Sequence, residues 1–354
     1  VEQILQVFPQ ADVFAITDFL SLDERAFLGG RTVKTTFIQR LPFARRMFRA
    51  YLPLMPLAIE QLDMRGYDLV ISSSHAVAKG VITGPDQLHI SYVHSPIRYA
   101  WDLQHQYLEE SRLNGVRGVL ARIVLHYIRM WDVRTASGVD VFLTNSAYIG
   151  RRVRKVYGRD STVLPPPVDI EAFTFRRQKG DYYLAAARMV PYKKMPVIVE
   201  AFAHMPDKRL VVVGEGPDLD RCRKLATPNI ELVGYMPFEK LREYMQGARA
   251  FVFAAEEDFG ITLVEAQACG TPVIAFGRGG AREIVQPLGS SPAPTGVFFD
   301  EQLPGAIVDA VTRFEKAGAQ ICPQACRNNA ERFSLDLFRT SLKRLVDEAL
   351  QARP

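Results

Sequence analysis

Short apolar runs closed by turn residues alternate along the chain with stretches of helical periodicity, and that alternation predicts a parallel α/β protein. In the first half the runs predict strands at Asp12–Ile16, Val33–Phe37, Leu69–Ser73, His89–Val93, Val139–Thr144 and Thr162–Leu164. Long helical stretches are expected there at 43–62 and 115–137. The second half repeats the theme, with strands predicted at Tyr182–Ala186, Arg209–Val213, Ile230–Val233, Ala250–Phe253, Pro272–Ala275 and Gly296–Phe298.

Leu164-Pro165-Pro166-Pro167-Val168-Asp169 separates the halves. Consecutive prolines lack amide donors and cannot enter a sheet interior, so the run reads as a stiff linker. Two Rossmann-like domains with parallel sheets facing a central cleft are expected, at 1–166 and 167–334. A final helical stretch at about 335–354 is expected to cross back to the first domain. Val1 to Pro9 reads as the end of an amphipathic helix already under way, so an upstream strand and turn are expected to be missing.

Composition changes this picture little. A chain of 354 residues that is 48% hydrophobic supports two domains. No run approaches the roughly 18 apolar residues of a transmembrane helix. Four scattered cysteines, Cys222, Cys269, Cys322 and Cys326, complete no zinc site and read as reduced cytosolic thiols. Charge is more informative. Residues 1–166 hold 20 Lys and Arg against 15 Asp and Glu, whereas residues 167–354 hold 24 of each. The basic half is expected to meet an anionic surface or substrate, and its modest excess argues against a nucleic-acid binder.

The densest candidate chemistry is Glu257-Asp258-Phe259-Gly260-Ile261-Thr262-Leu263-Val264-Glu265. It follows a buried apolar run and opens a short helix that Gly270 and Pro272 end. Two carboxylates then flank a helix N-terminus at Gly260 to Thr262, where backbone amides and the helix dipole favour a phosphate. Such a pair suits the hydroxyls of a nucleotide-sugar.

Leu184-Ala-Ala-Ala-Arg188-Met-Val-Pro-Tyr-Lys193-Lys194 ends another strand with cations at the edge where doubly wound sheets bind ligands. Arg188 as a fork and Lys193 as a point charge suit a diphosphate, or they are a solvated pair at a helix start. Gly214-Glu215-Gly216 lacks the third glycine of a dinucleotide fingerprint and reads chiefly as a tight turn. Tyr235 and Met236 either flank a nucleotide base or form an ordinary loop.

In the first half, two predicted strands finish on His75 and His94, and the second runs into Ser95-Pro-Ile-Arg98-Tyr-Ala-Trp-Asp102. Neither histidine has metal-site spacing. Arg40 to Leu57 interleaves Arg40, Arg45, Arg46 and Arg49 with large apolar residues. That suits a segment on an anionic membrane surface or beside a lipid-linked acceptor, or a core helix with a basic outer face.

Together these residues resemble the retaining GT-B glycosyltransferases of family 4, over nearly the whole chain. The strings Ile71-Ser-Ser-Ser-His75-Ala-Val-Ala-Lys-Gly80 and Tyr92-Val-His94-Ser-Pro-Ile-Arg98-Tyr-Ala-Trp-Asp102 look like a branch with bacterial mannosyltransferases of O-antigen and exopolysaccharide assembly. The resemblance implies that Glu257 holds the sugar hydroxyls and Glu265 the ribose. It implies that Asp258, Phe259, Gly260, Ile261 and Thr262 line the donor, with Tyr235 and Met236 at the base. Arg188 and Lys193 would carry the diphosphate, and His75, with His94 second, would face the transferred sugar. Arg98, Arg45 and Arg46 are acceptor-side candidates.

The implied reaction moves a hexose, expected to be mannose from GDP-mannose, to a hydroxyl of a lipid-linked or growing cell-surface glycan. The protein carrying it out is expected to be cytoplasmic or peripheral on the inner face of the cytoplasmic membrane. No cofactor, metal or nucleic acid is expected, because the basic pair supplies the positive charge. The family's usual first strand and Gly-Gly loop are expected to be missing, since Gly29-Gly30 falls after the second predicted strand. Rival readings are a nucleotide-sugar epimerase of similar shape and a non-catalytic sugar-nucleotide-binding protein.

Overall fold

A computed structural model describes residues 1–110 and 115–353, with Gln106, Glu109 and Glu110 described as backbone only. The last residue of the expected C-terminal stretch, Pro354, lies outside the described residues. The chain forms two compact units, Val1–Pro165 with Arg339–Pro354, and Pro166–Phe338. The helix Leu335–Gln351 therefore begins in the second unit and ends in the first.

The first unit contains a two-stranded parallel sheet, β1 (Val13–Ala15) with β2 (Val33–Thr35). It also contains a four-stranded parallel sheet in sequential order, β3 (Leu69–Ser74), β4 (Leu88–Val93), β5 (Val141–Thr144) and β6 (Thr162–Val163). Ser74 pairs with Val93 in the β3–β4 register, so His75 and His94 leave the sheet side by side. The expected helix over 115–137 is Gly115–Thr135 followed by one tight turn.

The expected helix over 43–62 is broken. Helices Ala44–Met47 and Met55–Glu60 are separated by a 3-10 stretch, Phe48–Leu54. Pro53 lies inside that stretch and Pro56 opens the next helix, and each withdraws a backbone donor that a continuous helix would need. Phe43, at φ 56°, turns the chain abruptly into the first piece.

The second unit is one six-stranded parallel sheet. Its strands are β7 (Tyr182–Ala186), β8 (Arg209–Val213), β9 (Ile230–Gly234), β10 (Ala250–Phe253), β11 (Val273–Phe276) and β12 (Gly296–Phe299), in the order β12-β11-β10-β7-β8-β9. The inner strands β7, β8, β10 and β11 are apolar on consecutive residues because both faces are covered, whereas edge strand β9 exposes Glu231. Tyr183, Ala185, Leu210, Val212, Ala250 and Val252 face the core under helices Met195–Ala203 and Pro304–Ala317. Leu184, Ala186, Val211, Val213, Phe251 and Phe253 face the core under helix Ile261–Ala268. The strand order reverses between β7 and β10. Chains leaving those two strands part to opposite sides, which opens a crevice at their C-terminal ends.

Candidate active site

The second unit brings the predicted donor residues to that crevice. Arg188 lies two residues beyond β7, Lys193 closes the next turn, and Glu257 lies four residues beyond β10. The Lys193 ammonium pairs with the Glu257 carboxylate, both side chains being largely buried. Lys193 also lies 5.4 Å from the centre of the Tyr192 ring and 5.8 Å from that of Phe253. A cation between aromatic faces and a carboxylate is held by several weak attractions at once. Arg188 is exposed and forms no ion pair among the described residues.

Gly260, at φ 100°, starts helix Ile261–Ala268 and carries no capping side chain. A left-handed start of this kind is open to glycine at little cost. Phe259 is buried edge-on against Phe333 at 5.4 Å, which anchors the loop that carries Asp258 and Glu257. Ile261 is exposed and Thr262 partly so. Glu265, in the second helical turn, has its pKa pushed up to about 7 by burial. Met236 packs against the core and Tyr235 is exposed, its amide donating to the Glu215 carboxylate at 3.4 Å.

Sequence reasoning undervalued two glycine pairs. Gly214 and Gly216, read chiefly as a tight turn, lie against the Arg188 segment: the Met189 amide donates to the Glu215 carbonyl at 2.8 Å. A Cβ at Gly214 would overlap the Ala187 carbonyl, and one at Gly216 the Met189 carbonyl. Likewise Gly279 and Gly280, after β11, press on the Glu257–Phe259 backbone, where the Gly280 amide donates to the Glu257 carbonyl at 2.9 Å. Their signal is closely spaced glycines within four residues of a strand end. Gly216→Ala is expected to displace Arg188 by an amount of the order of 1 Å and to lower kcat/KM up to about 100-fold. Steady-state kinetics on a variant with parental circular dichroism checks this, and parental turnover would refute it.

The first unit assembles the two histidines. His94 accepts or donates at Nε2 with the Ser73 hydroxyl at 2.9 Å and stacks edge-on to Tyr92 at 5.1 Å. Burial first, and then the neighbouring His75, lower its pKa to about 4. His94 is therefore neutral across physiological pH, while His75 is exposed. The segments after both histidines are fastened by one buried node. Lys79 pairs with Asp132 at 2.9 Å, and Asp132 also accepts from the Trp101 indole at 2.8 Å. Arg98 is partly buried after His94, whereas Arg45 and Arg46 are exposed on the broken helical segment.

The chain contains one Asp-x-Asp spacing, Asp218-Leu219-Asp220, at the start of helix Leu219–Leu225, with Asp220 ion-paired to Arg223 at 3.0 Å. Among the described residues no three His, Cys, Asp or Glu side chains cluster as a metal site. All four cysteines are free thiols. Among the described residues no helix is long and apolar enough to cross a membrane.

A family model described as Glycosyl transferases group 1 matches residues 169–333, and one described as Glycosyltransferase Family 4 matches residues 10–172. The chain is 32% identical over 180 residues to the GDP-mannose-dependent monoacylated alpha-(1-6)-phosphatidylinositol monomannoside mannosyltransferase of Corynebacterium glutamicum, covering 42% of this chain and 47% of that protein. It is 28% identical over 241 residues to the GDP-mannose-dependent alpha-(1-6)-phosphatidylinositol monomannoside mannosyltransferase of Mycobacterium tuberculosis, covering 57% and 61%. The chain thus spans about half the length of the curated relatives it matches. Among solved structures, sucrose-phosphate synthase from Thermosynechococcus elongatus superposes with a TM-score of 0.68 at 19% identity, covering 91% of this chain and 84% of that one. The Anabaena protein HepE in complex with UDP and glucose superposes with a TM-score of 0.66 at 14% identity, covering 99% and 95%. At such identities the likeness shows the fold. With one family model on each half and the fold shared with these structures, the chain belongs to the group 1, family 4 glycosyltransferases of the GT-B fold.

Proposed function

We propose that the protein transfers mannose from GDP-mannose to a hydroxyl of a lipid-linked acceptor with retention at the anomeric carbon. The observation that carries this reading is the crevice between β7 and β10, where Arg188, the Lys193–Glu257 pair and the helix start at Gly260 lie on adjacent strand ends. The names of the two mannosyltransferase relatives support the choice of donor.

In this reading Arg188, Lys193 and the amides at Gly260 to Thr262 stabilise the departing diphosphate. Charge stabilisation by preorganised donors is commonly the largest single contribution to catalysis. The acceptor hydroxyl enters on the face the diphosphate leaves, and the leaving phosphate takes its proton. Glu257 then positions the sugar hydroxyls, and Glu265 accepts from the ribose. Lys193 would exchange part of its pairing with Glu257 for the phosphate as the donor enters. Neutral His94 and exposed His75 are assigned to the sugar and acceptor side.

The test incubates purified protein with GDP-mannose, UDP-glucose and UDP-N-acetylglucosamine, with and without a phosphatidylinositol mannoside acceptor, in excess chelator. Mannosylated lipid formed only from GDP-mannose, undiminished by chelator, is expected. An altered free nucleotide-sugar formed without acceptor would replace this reading with epimerisation. Donor binding with neither transfer nor hydrolysis would replace it with a binding role.

A further inference from the structure

Helix Gly115–Thr135 is apolar on two opposite sides. Leu125, Ile128 and Trp131 are buried in the first unit, Leu125 and Ile128 in one cluster with Ile97, Ala100 and Leu108. Val116, Val119, Leu120, Ile123, Tyr127 and Met130 recur at helical spacing on the other side, and all are exposed, Val116 at 86%, Leu120 at 61% and Ile123 at 60%. At about 1.5 Å per residue this stripe runs for about 20 Å. Packing within a soluble domain accounts for one apolar face of a helix, and a second, contiguous one marks an interaction surface.

The exposed charges flanking the stripe are predominantly cationic. Arg117 and Arg122 are exposed on the same helix, Arg134 is paired with Glu60 of the neighbouring segment, and the helix's only acid, Asp132, is buried against Lys79. The broken segment 44–60 lies alongside: Leu52 packs in the cluster of Leu125 and Ile128, and Glu60 accepts from the Trp131 indole at 2.7 Å. That segment adds exposed Arg45, Arg46 and Arg49, with Phe43, Met47 and Leu57 also exposed, and residues 37–59 contain no acid. A two-fold contact between copies through this face would set arginine rim against arginine rim, a like-charge arrangement. An anionic bilayer surface satisfies both parts, taking the apolar stripe at the acyl boundary and the arginines at the headgroups.

From this we infer that the outer face of helix Gly115–Thr135, rimmed by arginines, docks the protein on anionic lipid. The inference deepens the lipid-linked acceptor reading by naming the surface that meets the membrane. It is scored without donor or acceptor, so its failure and the failure of the transferase reading are separate results.

The test is flotation of the full chain with vesicles of phosphatidylglycerol and phosphatidylcholine, against vesicles of phosphatidylcholine alone. Binding to the anionic vesicles is expected, at least tenfold weaker in 0.5 M salt and on neutral vesicles. The Leu120→Asp, Ile123→Asp double variant is expected to lose binding at least tenfold while keeping parental circular dichroism and GDP affinity. In a Leu120→Trp variant, indole emission should shift to the blue on anionic vesicles only. Unchanged flotation of the double variant, or no flotation of the parent, would overturn the inference. So would a concentration-dependent dimer of the parent that the double variant abolishes, since the face would then belong to a second copy.

Discussion

Arg188→Ala is expected to lower kcat about 100-fold while moving KM only a few-fold. Arg188 is exposed and makes no ion pair among the described residues, so its removal leaves no buried partner stranded and the fold is not taxed. What disappears is a guanidinium at the strand end where the diphosphate would gather charge as the sugar departs. One preorganised electrostatic contact of this kind is worth roughly 3 kcal/mol in the transition state, hence the factor of about 100. Arg188→Lys should recover only part of the loss, because an ammonium lacks the planar fork that engages two oxygens at once.

Lys193→Ala is a different experiment despite the similar charge change. Lys193 is paired with Glu257 in a largely buried position, so alanine leaves a carboxylate without its cation. Its loss should therefore fall on KM as well as kcat, since the group assigned to the sugar hydroxyls is disturbed too. Steady-state kinetics with GDP release as the readout separates the two patterns. Parental turnover in both variants would remove the diphosphate assignment.

The second unit was legible in the sequence because its strands are buried on both faces. Tyr182–Ala186, Arg209–Val213 and Ala250–Phe253 were predicted with the boundaries the structure has, and an apolar run of that length between turn residues has few other uses. The Glu257 to Glu265 element was equally legible, since a strand, a glycine and a short helix are all local features. The pairing of Lys193 with Glu257 was not. It joins residues on different strand ends, and sequence spacing carries no information about which strands become neighbours.

The first unit was harder for two physical reasons. Segment 43–62 has helical periodicity, but Pro53 and Pro56 override it by removing backbone donors, so three short pieces replace one helix. Helix Gly115–Thr135 was found, yet its two apolar sides average out in a periodicity reading. Only the burial of Leu125 and Ile128 against the exposure of Leu120 and Ile123 separates the packed side from the open one.

Glu265→Gln is expected to make the protein more stable and the enzyme worse, each in its own pH range. Burial holds the Glu265 carboxyl at about 7 rather than the 4.5 of an unburied one. A raised acid pKa means that the folded state keeps its proton where the unfolded chain has lost it. The folded state is therefore favoured below about pH 4.5, and this advantage is lost as pH rises through 7. Above that, ionising Glu265 costs roughly 3 kcal/mol of stability. Glutamine removes the ionisation, so the variant should exceed the parent by up to about 3 kcal/mol at pH 8 and match it near pH 4, as denaturant titrations would show.

Donor binding should run the other way. A carboxylate accepts from both ribose hydroxyls, whereas an amide offers one oxygen, and a hydrogen bond to a charged group is worth about 1.5–3 kcal/mol. KM for the donor should thus rise roughly tenfold to 100-fold at pH 8 in the variant. In the parent the same KM should climb as pH falls through 7 and Glu265 takes up its proton, and in the variant that climb should be absent. Parental KM at pH 8 would take Glu265 off the ribose, and an unchanged stability profile would mean that its burial is relieved in solution. If both effects appear together, the carboxylate is kept in an unfavourable place for binding rather than for folding.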